Sequence, residues 1–202
     1  MVKPFAESCE QNQRPILAVL RDEFATASRI LEIGSGTGQH AVFFAAELSH
    51  LQWQTSDRTE NHPGINAWLA DAGDANVLPP LALDVLRDPW PAPGFDGVFS
   101  ANTAHIMGWP AVEAMFAGVA EVLAPGGRFC LYGPFNVGGR YTSESNARFD
   151  AWLKQRDPDS GVRDRDALKA LAERHGLQHA AEHLMPANNR IQVWEKVLES
   201  AG

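Results

Sequence analysis

The stretch from Arg29 to His40, Arg-Ile-Leu-Glu-Ile-Gly-Ser-Gly-Thr-Gly-Gln-His, constrains the fold more than any other part of the chain. Arg29 to Ile33 is a short aliphatic, partly β-branched run that stops at a glycine cluster, and Gln39 to Leu48 reads as a helix. The unit is therefore strand, tight turn, helix. Glycines at 34, 36 and 38 give the turn conformations closed to residues with a Cβ, and they let a ligand approach the backbone closely. The free N–H groups of the helix that follows suit a nucleotide-like ligand.

Spacing narrows the ligand. The dinucleotide fingerprint G-x-G-x-x-G would place its third glycine at position 39, where this chain has glutamine. The actual pattern is Glu32, Gly34, Gly36, Gly38, an acid two residues before G-x-G-x-G. This resembles the first motif of class I S-adenosylmethionine (SAM) methyltransferases. A plain βα turn that uses glycines for packing stays open at this point, and the rest of the chain has to decide.

The second strand, Leu51 to Thr55, runs into Ser56-Asp57. An acid at the tip of the second strand, about 20 residues past the glycines, is where a ribose diol is held. Arg58 follows it. The third strand ends at Asp84-Val85, the position at which class I methyltransferases grip adenine through a carboxylate and the next backbone N–H. Glu32, Asp57 and Asp84 thus end three successive strands, and in an open α/β sheet those ends converge on the ligand crevice. The fourth strand, Phe95 to Ser100, leads into Ala101-Asn-Thr-Ala-His-Ile-Met-Gly-Trp109. A methyl acceptor would sit there, which makes Asn102 and His105 candidates; an unperturbed imidazole titrates near neutral pH and suits a general base. A histidine hydrogen-bonded in a loop is the alternative for His105. Motifs for exocyclic-base or cytosine C5 methylation are absent. Leu123-Ala-Pro-Gly-Gly127 before the fifth strand, Arg128 to Tyr132, matches the connection class I methyltransferases show. Tyr132 ends on the ligand side. A hairpin from Leu177 to Val197 around Pro186-Ala-Asn-Asn189 closes the sheet.

Asn12-Gln-Arg-Pro15 is expected to open an N-terminal helix, with Pro15 in its first turn, inside a segment 1–27 that covers the site. Arg14 on that helix is a candidate for the lid of the site. At 202 residues the chain is one domain's worth. Its net charge of −8 is uneven: residues 1–127 hold 6 Lys/Arg against 15 Asp/Glu, and residues 128–202 hold 11 against 10. That balance, without a basic stripe, argues against a nucleic-acid substrate. No apolar run approaches the roughly 18 residues of a membrane span, and the N-terminus lacks a signal peptide's apolar core, so a cytoplasmic protein is expected. Cys9 and Cys130 have no metal-ligand spacing.

Across nearly the whole chain the sequence is similar to the family known as methyltransferase-like protein 26, or domain of unknown function 938. The carriers are Asn12 with Pro15-Ile-Leu17, Ser35-Gly-Thr-Gly-Gln-His40, Trp53-Gln-x-Ser-Asp57, Asn102-x-x-His-Ile106 with Trp109, Tyr132-Gly-Pro-Phe135, Ser145-Asn146, Arg156-Asp-Pro158 and Met185-Pro-Ala-Asn-Asn189. The resemblance implies a Rossmann-like class I α/β fold: a seven-stranded, mostly parallel sheet with an antiparallel C-terminal hairpin and helices on both faces. It implies SAM as cofactor and S-adenosylhomocysteine (SAH) as product. The cofactor residues expected are Glu32, Gly34, Ser35, Gly36, Thr37, Gly38, His40, Asp57, Arg58, Asp84, Val85 and Asn102. His105, Tyr132, Asn188 and Arg14 are expected around a small-molecule acceptor, with an oxygen, nitrogen or sulfur nucleophile. The chain departs from the family pattern at Gln11, Met107, Gly108 and Ser160. A non-catalytic SAM or SAH sensor, a nicotinamide-dependent oxidoreductase and an RNA methyltransferase are the rival readings.

Overall fold

The computed structural model describes residues 3–73 and 76–197. Its seven-stranded sheet is built from β1 (Arg29–Ile33), β2 (Gln52–Asp57), β3 (Val77–Ala82), β4 (Phe95–Ala101), β5 (Leu123–Gly133), β8 (Leu177–Leu184) and β9 (Arg190–Lys196). The order is β3-β2-β1-β4-β5-β9-β8. β1 to β5 pair in parallel, and β9 runs antiparallel between β5 and β8. The chain therefore starts mid-sheet, winds outward to β3, and returns across β1 to β4. That reversal between β1 and β4 is the switch point where open α/β sheets bind ligands at the carboxyl ends of their strands.

Central parallel strands must be buried on both faces, and the alternation along them shows it. Leu31, Ile33, Val98, Phe129 and Leu131 join α4 (Trp109–Val122) and α6 (Arg165–Arg174) in one core. Ile30, Trp53, Phe99, Cys130 and Tyr132 join α1 (Glu7–Glu23) and α2 (Gln39–Glu47) in the other. Phe44, Trp53 and Phe99 meet there with ring centroids 5.5–5.9 Å apart, the range of favourable aromatic pairs. α3 (His62–Ala72) connects β2 to β3, and α5 (Glu144–Arg156) shares a cavity lining with Asn102, just past β4, and Tyr132 near the end of β5. Ser143 caps α5 by accepting from the Asn146 N–H at 3.1 Å.

Two details differ from the sequence expectation. The first helix opens at Glu7, not Asn12, so Pro15 sits inside it and not in its first turn. Its start is set from outside: the Ala6 N–H donates to Gln39 Oε1 at 2.5 Å, tying the chain to the far end of the glycine turn. Pro15 has no N–H, so the Gln11 carbonyl loses its usual helical donor. The second difference is a two-stranded parallel sheet of β6 (Phe135–Asn136) and β7 (Arg163–Asp164), elements too short for periodicity to register. It matters because it carries Arg163 to the loop after β4. Arg163 Nε donates to the Ala104 carbonyl at 2.9 Å and its Nη2 to the Met107 carbonyl, while the Gly161 N–H donates to the His105 carbonyl at 2.9 Å. Among the described residues, no helix is long and apolar enough to cross a membrane.

Candidate active site

The glycine turn adopts the predicted special backbone: φ is +71° at Gly34, +57° at Gly36 and +91° at Gly38. Two of the three are also fixed by close packing. A Cβ at Gly34 would lie 2.6 Å from Thr103 Cγ2, and one at Gly38 would lie 3.0 Å from Ile65 Cα. The N–H groups of Gly34 and Ser35 both donate to the Ser56 carbonyl at 3.0 Å, and the Gly36 N–H donates to Asp57 Oδ2 at 2.7 Å. Asp57 Oδ1 accepts from the Arg58 N–H at 2.7 Å and from Asn61 Nδ2 at 2.8 Å. The buried Asp57 carboxylate therefore braces the turn while its edge faces the cavity it lines. Asn61, which helps hold it, carries no motif and was not anticipated.

That cavity, about 380 Å³, contains Gly34, Asp57, Arg58, Asp84, Val85 and Asn102, six of the twelve residues expected around the cofactor. Thr103, Leu83, Ile106 and Met107 complete much of its apolar wall. Asp84 Oδ1 accepts from the Leu86 N–H at 3.0 Å, which fixes the turn that presents Val85.

The other six lie around the turn and outside the cavity lining. β-strand alternation sends Glu32 to the same side as Ile30, beneath the turn. There Glu32 Oε2 accepts from Ser35 Oγ at 2.8 Å and Trp53 Nε1 at 3.2 Å. Burial pushes its pKa up to about 7, against the opposing effect of these two donors. Thr37 Oγ1 donates to Gln39 Oε1 at 3.0 Å. His40 Nε2 lies 2.7 Å from Asn12 Oδ1, and its ring stacks on Phe44; burial lowers its pKa to about 4. A neutral ring at that site donates through Nε2–H, so His40 holds α1 against α2 and orients the Asn12 amide.

A second cavity, about 490 Å³, adjoins the first at Asn102, which lines both. Asn12 and Gln11 on α1, Tyr132 at the end of β5, Asn146 and Phe149 on α5, and Asn189 in the β8–β9 turn line it. Tyr132 is buried, and burial raises its pKa while Asn12 and Asn189 oppose that as hydrogen-bond partners. Asn102, Ala187 and Asn188 have φ of +59°, +56° and +59°, the positive-φ non-glycine residues among those described, and all three are at or beside this cavity. Backbone strain of that kind gathers at functional sites.

Three sequence candidates lie elsewhere. Arg14 is exposed on α1 and lines neither cavity. Asn188 is exposed and donates through Nδ2 to Ser145 Oγ at 3.1 Å; its neighbours Ala187 and Asn189 line the cavity instead. His105 is buried behind the wall, its ring edge-on to Phe149 with centroids 5.2 Å apart. Burial, and then the charge of Arg163, lowers its pKa to about 4. Of the departures from the family pattern, Gln11 lines the second cavity and Met107 the first, whereas Gly108 caps α4 and the buried Ser160 donates to the Asp157 carbonyl. Asn12, Asn146 and Asn189 were visible in the sequence only as part of the resemblance. At the opposite ends of the strands a depression of about 450 Å³ includes Asp96, but that carboxylate accepts from the Ser28 and Arg29 N–H groups at 2.8 and 2.9 Å and is a fold contact.

The fold is that of SAM-dependent methyltransferases. The apo methyltransferase SibL superposes with a TM-score of 0.81 at 20% identity, covering 95% of this chain and 56% of that one. An O-methyltransferase family 2 protein from Planctomyces limnophilus in complex with apigenin gives 0.83 at 16%, covering 94% and 58%. Human N-acetylserotonin methyltransferase in complex with SAM gives 0.80 at 14%, covering 95% and 53%. The chain spans a little over half the length of these proteins. A family model described as "Protein of unknown function (DUF938)" matches residues 3–196, and the chain belongs to that family.

Proposed function

We propose that the protein is a SAM-dependent methyltransferase acting on a small molecule through an oxygen, nitrogen or sulfur nucleophile. The observation that carries this reading is the pair of cavities joined at Asn102, one faced by the strand-end acids and the other by neutral polar side chains. The first cavity fits the cofactor by its donor set. Asp57 can accept from a ribose diol, Asp84 from an exocyclic amine, and the Val85 N–H can donate to a ring nitrogen. When bound, SAM supplies an electrophilic methyl group, so the protein's task is alignment and exclusion of water.

Tyr132, Asn12 and Asn189 would orient the acceptor, and the residues from 4 to 12 would shield it. The Trp68 Nε1–H donates to the Pro4 carbonyl at 2.6 Å, which together with Gln39 seats this strap on α2 and α3. Glu32, Ser35, Thr37, Gly38 and His40 would hold the turn in its binding shape. His105 enters as a positioning residue behind Phe149. Arg14 and Asn188 have no part in this reading. The apigenin complex of the Planctomyces limnophilus protein is consistent with a ring-shaped acceptor. The acidic first two-thirds of the chain supports a small molecule over a nucleic acid.

A non-catalytic SAM or SAH sensor is the second reading, favoured by the scarcity of ionisable groups in the second cavity. The test is calorimetric titration with SAM, SAH and NAD, followed by turnover on a panel of acceptors. Binding of SAM and SAH without NAD, with methyl transfer, is the expected result. Binding without any turnover leaves the sensor, and binding of NAD alone refutes both.

A further inference from the structure

Each residue lining the second cavity is uncharged, and the one ionisable group among them is the Tyr132 phenol. The amides there also have fixed orientations. Both N–H groups of the buried Asn146 are used: Nδ2 donates to Thr142 Oγ1 at 3.0 Å and to the Asn188 carbonyl at 3.1 Å, so Oδ1 is what it can offer. Asn12 is the converse. Its Oδ1 is taken by His40 Nε2, and its NH₂ is a donor that the Tyr132 oxygen shares. The half-buried Phe149 supplies an aromatic wall, itself braced by His105 and stacked on Trp152 at 5.8 Å.

An oriented acceptor, an oriented donor and a ring face suit a molecule that is itself a ring bearing neutral polar groups. They give no charged partner to a carboxylate, phosphate or ammonium, whose desolvation only neutral dipoles would offset. The same lining offers no group to take a proton. Resting on the methyltransferase reading, we propose that the acceptor is an aromatic or heteroaromatic molecule, uncharged apart from its reacting atom, and that this atom loses its proton to water before transfer, as an aromatic thiol or an acidic ring hydroxyl does. In the transfer the acceptor anion's electron pair forms the bond to the methyl carbon. The sulfur–methyl bond breaks, its electron pair stays on sulfur, and the sulfonium becomes the neutral thioether of SAH. Charge is cancelled, and no proton moves in that step.

The groups around the cavity leave a readable pH window. His40 behind Asn12 and His105 behind Phe149 titrate near 4, Cys9 on α1 near 11, and Tyr132 above its ordinary value. Glu32, beneath the turn, titrates near 7 and would give an inflection at one fixed pH whatever the acceptor. Other charges near the wall are Asp150, paired with Lys154 on α5, Arg163, hydrogen-bonded to the loop carbonyls, and the exposed Glu7, which accepts from Gln11 Nε2 at 3.1 Å.

The experiment uses the wild-type chain, SAM and ring-substituted thiophenols spanning several units of thiol pKa, with 4-mercaptobenzoate and its methyl ester as a matched pair. SAH binding is measured first by calorimetry; if it is absent, the cofactor reading itself fails. With binding present, we expect kcat/KM to rise with pH to an inflection that follows each thiol's own pKa. The ester should exceed the carboxylate at least tenfold. An inflection fixed at one pH across the series with none that follows the thiol, equal use of acid and ester, or SAH binding with no turnover of any thiophenol would each overturn the inference while leaving the cofactor site standing.

Discussion

Asp57→Asn separates the two tasks the carboxylate performs. In the native chain Oδ2 accepts from the Gly36 N–H and Oδ1 from the Arg58 N–H and Asn61 Nδ2. The amide can keep its oxygen on the Arg58 side, which turns its NH₂ toward the Gly36 N–H, donor against donor. Flipping it saves that contact and loses the other two. At least one part-buried N–H is left without its acceptor, at about 1 kcal/mol. For a chain of this size that lowers Tm by roughly 2–4 °C in the ligand-free protein. Binding suffers further, because the variant offers the ribose diol a neutral group in place of a charged acceptor, worth another ~1.5–3 kcal/mol. Affinity for SAH should therefore fall by about tenfold to 150-fold. Calorimetric titration and thermal unfolding read the two effects independently. A lowered Tm with SAH affinity within threefold of wild type refutes the ribose role. An unchanged Tm refutes the bracing.

Other outcomes follow from the same geometry. Gly34→Ala forces a Cβ to 2.6 Å from Thr103 Cγ2 at φ +71°, so it should cost ~2–4 kcal/mol and abolish SAH binding. Adding Thr103→Ser should recover part of the Tm but not all of it, since the backbone strain remains; full recovery would show that the clash alone mattered. His40 and His105 have pKa values lowered to about 4, so the unfolded chain takes up their protons first as pH falls. The stability they provide is complete above about 6.5 and lost toward 4, at up to ~3 kcal/mol each. Urea unfolding of His40→Gln at pH 7 and 4.5 should show a smaller acid loss than wild type, and an equal loss would contradict the burial argument. Glu32 has the opposite sign. Its carboxyl is raised to about 7, so stability falls as pH rises from about 4.5 to 7. Glu32→Gln keeps one oxygen for Ser35 and Trp53 and should be the more stable protein at pH 8 but not at pH 5, as read by Tm.

The large elements were legible because their signals are local. Glycine and proline mark most of the turns, and apolar runs of strand length alternate with helical ones. Pro15 misplaced the start of α1 because the helix is opened by a contact from Gln39, remote in sequence, and tertiary contacts override a local preference. β6 and β7, two residues each, have no period to detect. The strand-end acids Asp57 and Asp84 were readable from topology, since parallel strands deliver their carboxyl ends to one crevice. Glu32 stands one residue before the end of the same kind of strand, and alternation sends it to the face of Ile30, beneath the turn, where it meets Trp53.

The second cavity was harder to read for a different physical reason. Its residues come from α1, the loop after β4, β5 and the residue that follows it, α5 and the β8–β9 turn, so no spacing relates them. Its polar members are asparagines, serines, a glutamine and a tyrosine, and a sequence uses asparagine and serine freely for caps and turns. Their orientation depends on partners found only in three dimensions: His40 for Asn12, Thr142 and the Asn188 carbonyl for Asn146. The one-residue displacement from Asn188 to Asn189 shows the scale of the difficulty. Two successive residues at positive φ turn the chain so that Asn188 faces Ser145 while Asn189 lines the cavity. Holding αL backbone at two non-glycine residues costs stability, and what holds it is the bond from Asn146 to the Asn188 carbonyl and from Asn188 to Ser145, which lock the hairpin tip onto α5. The same α5 carries Phe149. Hairpin, helix and aromatic wall are thus one mechanical unit, and the shape of the second cavity is set by the join between the β8–β9 turn and α5.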